Sequence, residues 1–369
     1  VTVHSPFFIF SIQMPSTIRS LVRPHLLTLK PYSSARSEFS GTADVFLDAN
    51  ENAFGSPTKA VFNRYPDPLQ KLVKARLAAI KSVSAEQIFL GNGSDEAIDL
   101  LIRAFCEPSH DSLLITPPTY GMYEVSADIH NVAVQRVPLL LETSYTIDVE
   151  RVLAAVTPRT KLIFLCSPGN PTGNVLSATS IHQILQGFGG IVVVDEAYID
   201  FAPHKSFLPH LATYPRLAVM QTLSKAWGLA ALRLGMLFAA PELIQVLNSI
   251  KPPYNINAVT QELALQALEQ AAWKDDVVAT TITERERVAS ALAEMPIVER
   301  VYPSDANFLL VKFTASQNPR AVYAALVEQG IIVRDRSQVP LCEGCLRITI
   351  GTGEENTRLL KTLQAIAQA

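Results

Sequence analysis

Six short runs in this chain are apolar almost throughout rather than at every second position: residues 112–116, 132–137, 161–166, 191–194, 217–222 and 234–239. An alternating strand keeps one face in water, whereas a strand apolar on both faces has to be covered on both. Helical or turn-rich segments separate the runs, as crossovers between parallel strands require. The expected fold is therefore α/β, with a large domain built on a mostly parallel sheet covered by helices on both faces. With 369 residues, 48% of them hydrophobic and only 18% charged, the chain can fill such a core.

The flanking segments extend this reading. Leu69, Leu72, Val73, Leu77 and Ile80 recur at helical spacing over 67–80. A short strand over 88–90 runs into Gly-Asn-Gly-Ser and a helix over 94–105. Lys251-Pro-Pro-Tyr254 interrupts the pattern and reads as a hinge. Beyond it come helices over 258–272 and 274–294, a strand over 308–313, a helix over 319–329, and strands over 331–334 and 346–350. A final helix completes a smaller α+β domain. The expected division is an N-terminal arm, residues 1–50, counted with the small domain; a large domain, 51–255; and a small C-terminal domain, 256–369.

The formal charge of −3, with no long basic block, argues against nucleic acid and leaves a small molecule as the expected partner. Four cysteines are too few for a disulfide framework at this length. The Cys342-Glu-Gly-Cys345 pair has no second pair to complete a zinc site, and a strand rather than a helix follows it, so two reduced thiols and no metal are expected. The apolar stretch over 6–12 has neither a basic region before it nor a small-residue cleavage site after it, and is too short to span a bilayer. An extension upstream of Met14, or a misplaced start, is the expectation there, in a soluble cytoplasmic protein.

Ligands of open α/β sheets bind beyond the carboxyl ends of the strands, and the residues that follow the apolar runs are chemically distinctive. Gly91-Asn-Gly-Ser-Asp95 opens a helix, Ser167-Pro-Gly-Asn-Pro-Thr-Gly173 follows one run, Asp195-Glu-Ala-Tyr198 ends another, and Leu223-Ser-Lys225 follows a third. Each has a role that pyridoxal-5′-phosphate (PLP) chemistry needs. A lysine amine, Lys225, would meet the aldehyde once its environment lowers its pKa. A carboxylate, Asp195, would keep the pyridine nitrogen protonated, and Asn170 and Tyr198 would bond the phenolic oxygen. Backbone N–H groups at Gly93, Ser94 and Asp95, with Arg233, would hold the phosphate. Taken singly, each signal has an ordinary reading as a cap, a turn or a solvated lysine. Their order, all at strand ends, selects the functional one.

The chain resembles the fold-type-I PLP-dependent aminotransferases of class II. It resembles the histidinol-phosphate aminotransferases among them, from about Arg19 to the end. The matching stretches are LDANEN (47–52), RYPDP (64–68), GNGSDEAID (91–99), PTYGMY (118–123), SPGNPTGN (167–174), VVVDEAYIDF (192–201), TLSKAWGLAALRLG (222–235) and CLRITIG (345–351). The resemblance implies a PLP-dependent transferase fold and a histidine-biosynthesis activity. Histidinol phosphate and 2-oxoglutarate would give imidazole acetol phosphate and glutamate, in ping-pong fashion through a Schiff base on Lys225. It further implies that Tyr123 stacks on the cofactor ring and that Ser94, Asp95, Thr222, Ser224 and Arg233 surround its phosphate. Tyr65 would reach that phosphate across a homodimer interface. Arg334 and Arg347 would bind substrate, with Asn52 near the same pocket.

Trp227 stands where a phenylalanine is more usual in the family and reads as a packing substitution. Aromatic-amino-acid aminotransferases and threonine-phosphate decarboxylases share the motif set and form the alternative, and a non-catalytic PLP-binding protein is a third reading. The Asn170–Pro171 bond is expected to be cis.

Overall fold

The computed structural model describes residues 18–32, 44–58, 61–315 and 317–368. The apolar stretch over 6–12 lies outside them. A helix α1 (Lys71–Lys81) precedes strand β1 (Ile88–Asn92), which enters α2 (Gly93–Phe105) directly. There follow β2 (Ser112–Ile115), α3 (Met122–Ile129), β3 (Ala133–Arg136), α4 (Val149–Ala155), β4 (Thr160–Cys166), α5 (Ala178–Gly187), β5 (Ile191–Asp195), β6 (Leu217–Thr222) and β7 (Leu234–Ala239). These strands form one seven-stranded sheet in the order β1-β7-β6-β5-β4-β2-β3. Pairings among β2, β3, β4, β5 and β6 are parallel, while β7 runs antiparallel to both of its neighbours. The reversal has a simple cause: the β6–β7 connection contains no crossover α-helix, and a short connection can join only antiparallel neighbours.

The covering on both faces is visible within single strands. In β5, Val192 and Val194 point into one hydrophobic core and Ile191 and Val193 into the other. In β4, Ile163 and Leu165 share the first core, and Leu162 and Phe164 the second. Period-two alternation thus feeds two cores, which is why the sequence reads as continuously apolar. α5 buries Ile181, Ile184 and Leu185 at helical spacing against the first core. α2 buries Ile98, Leu101 and Ile102 in the second.

Downstream lie α6 (Pro241–Ile250), α7 (Ala258–Leu268), the long α8 (Ala271–Ala293), β8 (Val298–Val301), β9 (Phe308–Phe313), α9 (Pro319–Glu328), β10 (Arg334–Asp335), β11 (Cys345–Thr349) and α10 (Gly353–Gln368). The four strands make an antiparallel sheet in the order β10-β11-β9-β8. It has its own core, which includes Val288, Val311, Leu326, Ile348 and Leu363. Leu310, on the opposite face of β9, belongs instead to the first core of the large sheet, so this strand packs in both directions.

Four expectations need correction. The first described residues of the arm pack on the large domain, not the small one: Ile18 and Val22 sit in the second core, the Ile18 amide donates to Glu242, and Arg23 pairs with Glu107 at 3.0 Å. The boundary after residue 255 also moves, because α7 buries Ala264 and Leu268 in the first core beside Leu77. The expected hinge is a tied segment, since Lys251 Nζ donates to the carbonyls of Pro68, Pro252 and Pro253. Finally, the strand expected over 331–334 is present only as Arg334–Asp335. Gly330, at φ +70°, turns the chain out of α9, and residues 331–333 serve as the exit.

Candidate active site

A cavity of about 900 Å³ opens at the carboxyl ends of β4, β5 and β6 and is closed on its far side by residues around β10 and β11. Its walls include Ser94, Asp95, Asn170, Asp195, Tyr198, Thr222, Ser224, Lys225, Arg233, Arg334 and Arg347. These candidates lie far apart along the chain, and strands ending at one sheet edge bring most of them together.

Asp195 ends β5 and is buried at 2% exposure. Its carboxylate accepts hydrogen bonds from the Tyr123 hydroxyl at 2.5 Å and from the Ala197 amide at 3.1 Å. Burial pushes its pKa up to about 6 against the pull of those two donors. Lys225 lies in the β6–β7 connection, with Nζ 5.5 Å from the centre of the Tyr198 ring. Its pKa is lowered, first by desolvation and then by Arg347, which enlarges the neutral, nucleophilic fraction. The two groups share one cavity, as the chemistry of a protonated pyridine and an aldehyde requires.

The anion cradle forms where β1 enters α2. Gly93 adopts φ +71°, and its amide donates to the Arg233 carbonyl at 2.6 Å. A Cβ at Gly93 would meet Arg233 Nη2 at 2.7 Å, and one at Gly235 would overlap the Gly93 carbonyl carbon and the Ser94 nitrogen. Glycine at both positions therefore lets backbone and guanidinium close around a helix N-terminus. The Ser224 amide donates to Thr222 Oγ1 at 3.1 Å, and the Thr222 hydroxyl donates to Ser224 Oγ at 2.9 Å, which orients both side chains at the strand end. Asp95 contributes through what it holds: its carboxylate accepts from the Tyr120 hydroxyl at 3.0 Å and pairs with Arg233 at 3.4 Å.

Arg347 reaches across from the small sheet and donates to Asn170 Oδ1, while its guanidinium lies 5.2 Å from the centre of the Phe308 ring. The Asn170–Pro171 bond is cis, as are Ser167–Pro168 and Pro117–Pro118.

Tyr123 and Asn52 are placed differently from expectation, whereas Tyr65, expected to act across a dimer interface, lies outside the cavity of its own chain. Tyr123 is not on the cavity wall; it is fully buried, stacked on Phe164 at 4.7 Å, and acts on Asp195 through its hydroxyl. Tyr120, three residues earlier in the same motif, lines the cavity instead. Asn52 folds back within its own segment, its side-chain oxygen accepting from the Phe54 amide at 3.0 Å, and it does not line this chain's cavity. Tyr65 is half exposed and stacked on Tyr254 at 4.5 Å. Arg336 and Tyr120 are wall residues that the sequence reading missed. The strand period would have found Arg336, two residues from Arg334. Trp227 is buried, in keeping with a packing role.

A buried carboxylate and a desolvated lysine amine, facing one cavity beside a glycine-lined anion cradle, define a site for a phosphorylated pyridine aldehyde. The chain belongs to the aminotransferase class I and II family, whose model matches residues 40–363. A histidinol-phosphate aminotransferase of Cytophaga hutchinsonii is 55% identical over 351 residues, covering 95% of this chain and 99% of the relative. One from Parabacteroides distasonis is 55% identical over 347 residues, covering 94% and 98%. Among solved structures, histidinol-phosphate aminotransferase from Sinorhizobium meliloti in complex with pyridoxal-5′-phosphate superposes with a TM-score of 0.76 at 25% identity, covering 87% of this chain and 90% of that one. The cofactor is PLP, and the residues on the cavity wall fit it: Asp195 would meet the ring nitrogen, Asn170 and Tyr198 the phenolic oxygen, and Ser94 and Asp95 at the helix start, with Ser224 and Arg233, the phosphate, whereas the Gly93 amide, expected among these donors, is taken by the Arg233 carbonyl.

Proposed function

We propose that this enzyme moves the amino group of histidinol phosphate to 2-oxoglutarate, giving imidazole acetol phosphate and glutamate. The observation that carries the reading is the position of Arg347, which joins the small sheet to Asn170 inside the cavity that holds Lys225. A guanidinium fork there can hold either a phosphate or a carboxylate. That suits an enzyme whose two amino-group partners bind in turn at one site. Relatives at 55% identity over most of the chain carry this activity in their names.

When bound, PLP supplies an electrophilic aldehyde carbon and a protonated ring that withdraws electrons from the substrate. Lys225 Nζ, with its neutral fraction enlarged by a lowered pKa, takes the proton from the amino donor's Cα. Asp195 holds a proton at the ring nitrogen, and Tyr123, bonded to Asp195 Oδ2, fixes the direction in which the carboxylate points. Tyr198 and Asn170, both on the cavity wall, would hold the cofactor's phenolic oxygen. Arg347 orients the donor's anionic group, with Arg334 beside it.

The assembly belongs to the same proposal. Phe54, Leu47, Val61 and Tyr32 are each more than three-quarters exposed, an unusual cost for large apolar side chains concentrated in one stretch. A homodimer would cover them and bring Tyr65 of one chain to the phosphate cradle of the other. The four free, buried cysteines suit a reducing cytoplasm.

Turnover of histidinol phosphate, phenylalanine and threonine phosphate by the PLP-loaded enzyme tests the substrate. Histidinol phosphate should be preferred in kcat/KM by about tenfold or more, about 1.4 kcal/mol in transition-state binding. Preference for phenylalanine, or decarboxylation of threonine phosphate, would replace the proposal.

A further inference from the structure

We propose that Arg336 is a specificity-determining residue that binds the phosphate of the amino donor together with Arg334 and Arg347. The proposal rests on the phosphorylated-donor reading above. Arg334 is the direct cross-strand partner of Arg347 in the β10–β11 ladder, so the two side chains share a sheet face. The Arg336 amide donates to the Cys345 carbonyl at 3.0 Å, which carries the pairing one step past the end of β10. Side chains two apart on an extended segment point the same way. Arg336 thus joins the other two on the cavity wall, while Asp335, between them, accepts from the Ser337 amide at 2.8 Å and is absent from that wall.

Three guanidinium groups on one face repel one another, and no described carboxylate forms an ion pair with any of them. The Nε atoms of Arg336 and Arg347 are buried without a hydrogen-bond partner. Like charges crowded on one wall without a counter-ion are costly, and an anion entering the cavity would offset that cost. The size of that anion decides which substrate uses the third arginine. Glutamate has two carboxylates, each with one charge and two oxygens that a single fork fills, and Arg334 and Arg347 supply one fork each. A phosphate monoester carries a charge of about −1.5 to −2 near neutral pH and three terminal oxygens, so it can engage Arg336 after Arg347 is occupied. Arg336 therefore strengthens binding of the phosphorylated donor and adds little for glutamate.

The test uses the PLP-loaded enzyme with Arg336→Met and Arg336→Lys. Steady-state constants are measured separately for histidinol phosphate and glutamate, and binding of inorganic phosphate to the holoenzyme is measured by calorimetry. In Arg336→Met, KM for histidinol phosphate and Kd for inorganic phosphate should each rise about tenfold or more, with kcat/KM for glutamate within about twofold. Arg336→Lys should recover part of the loss. Equal losses for both donors, or unchanged phosphate binding, would overturn the assignment. Failure of the wild-type enzyme to use histidinol phosphate would instead remove the substrate reading, and phosphate calorimetry would still report on Arg336.

Discussion

Asp195 and its neighbour Glu196 are adjacent in sequence, both buried, and committed to different tasks. Asp195 faces the cavity, whereas Glu196 belongs to a separate network and accepts from the Phe207 amide at 2.5 Å, Ser206 Oγ at 2.7 Å and Gln221 Nε2 at 2.8 Å. Asp195→Asn removes the charge opposite the ring nitrogen while keeping the shape. Its kcat should fall on the order of 10²-fold or more with PLP still bound, and near-normal turnover would remove Asp195 from the mechanism. Glu196 makes a prediction about stability. Burial raises its pKa from 4.5 to about 7, so between those values the folded state holds a proton there that the unfolded chain has released. Its contribution is full below about pH 4.5 and declines as pH rises through 7. Glu196→Gln should flatten that decline in denaturant titrations of the apoenzyme by on the order of 1–3 kcal/mol; an unchanged pH profile would contradict the argument.

At the scale of elements, the site depends on the close approach of β7 to the start of α2. Gly235→Ala would push a methyl group into the Gly93–Ser94 peptide. The variant should lose about 1–3 kcal/mol of stability and bind PLP at least tenfold more weakly, measured by equilibrium titration; unchanged PLP affinity would mean that the cradle does not depend on this contact. The elements legible in the sequence are those whose signal is local. β5 and β6 are apolar at nearly every position, and the residues that follow them carry distinctive chemistry, so both the sheet and the shared cavity of Asp195 and Lys225 can be read in advance. β8 cannot, because Val298-Glu-Arg-Val301 is a partly exposed edge strand with charges at its centre. Tyr120 and Tyr123 are exchangeable by sequence, since both lie in one motif and only the orientation of the chain entering α3 decides which faces the cavity. The packing of the first described residues of the arm against Glu242 and Glu107 is a long-range contact with no local pattern.

The whole molecule adds a claim that no single chain can display. If Tyr65 completes the partner's site, an inactive Lys225→Ala subunit and a Tyr65→Ala subunit should form mixed dimers in which one site holds both native residues. Mixing the two variants after dissociation should restore activity above that of either alone, up to about a quarter of wild type for random pairing with one intact site in half the dimers. No recovery, with mixed dimers demonstrated, would place Tyr65 in its own chain's structure only. The proposed activity requires Lys225 and bound PLP to act on a phosphorylated amine. The most direct measurement is a single-turnover half-reaction, without 2-oxoglutarate, following the visible absorption of the PLP-loaded enzyme after addition of histidinol phosphate. The wild-type band should be lost at a rate compatible with turnover, with one equivalent of imidazole acetol phosphate formed per site, and Lys225→Ala should form none. A band that persists in the wild type, or equal product from Lys225→Ala, would contradict the account.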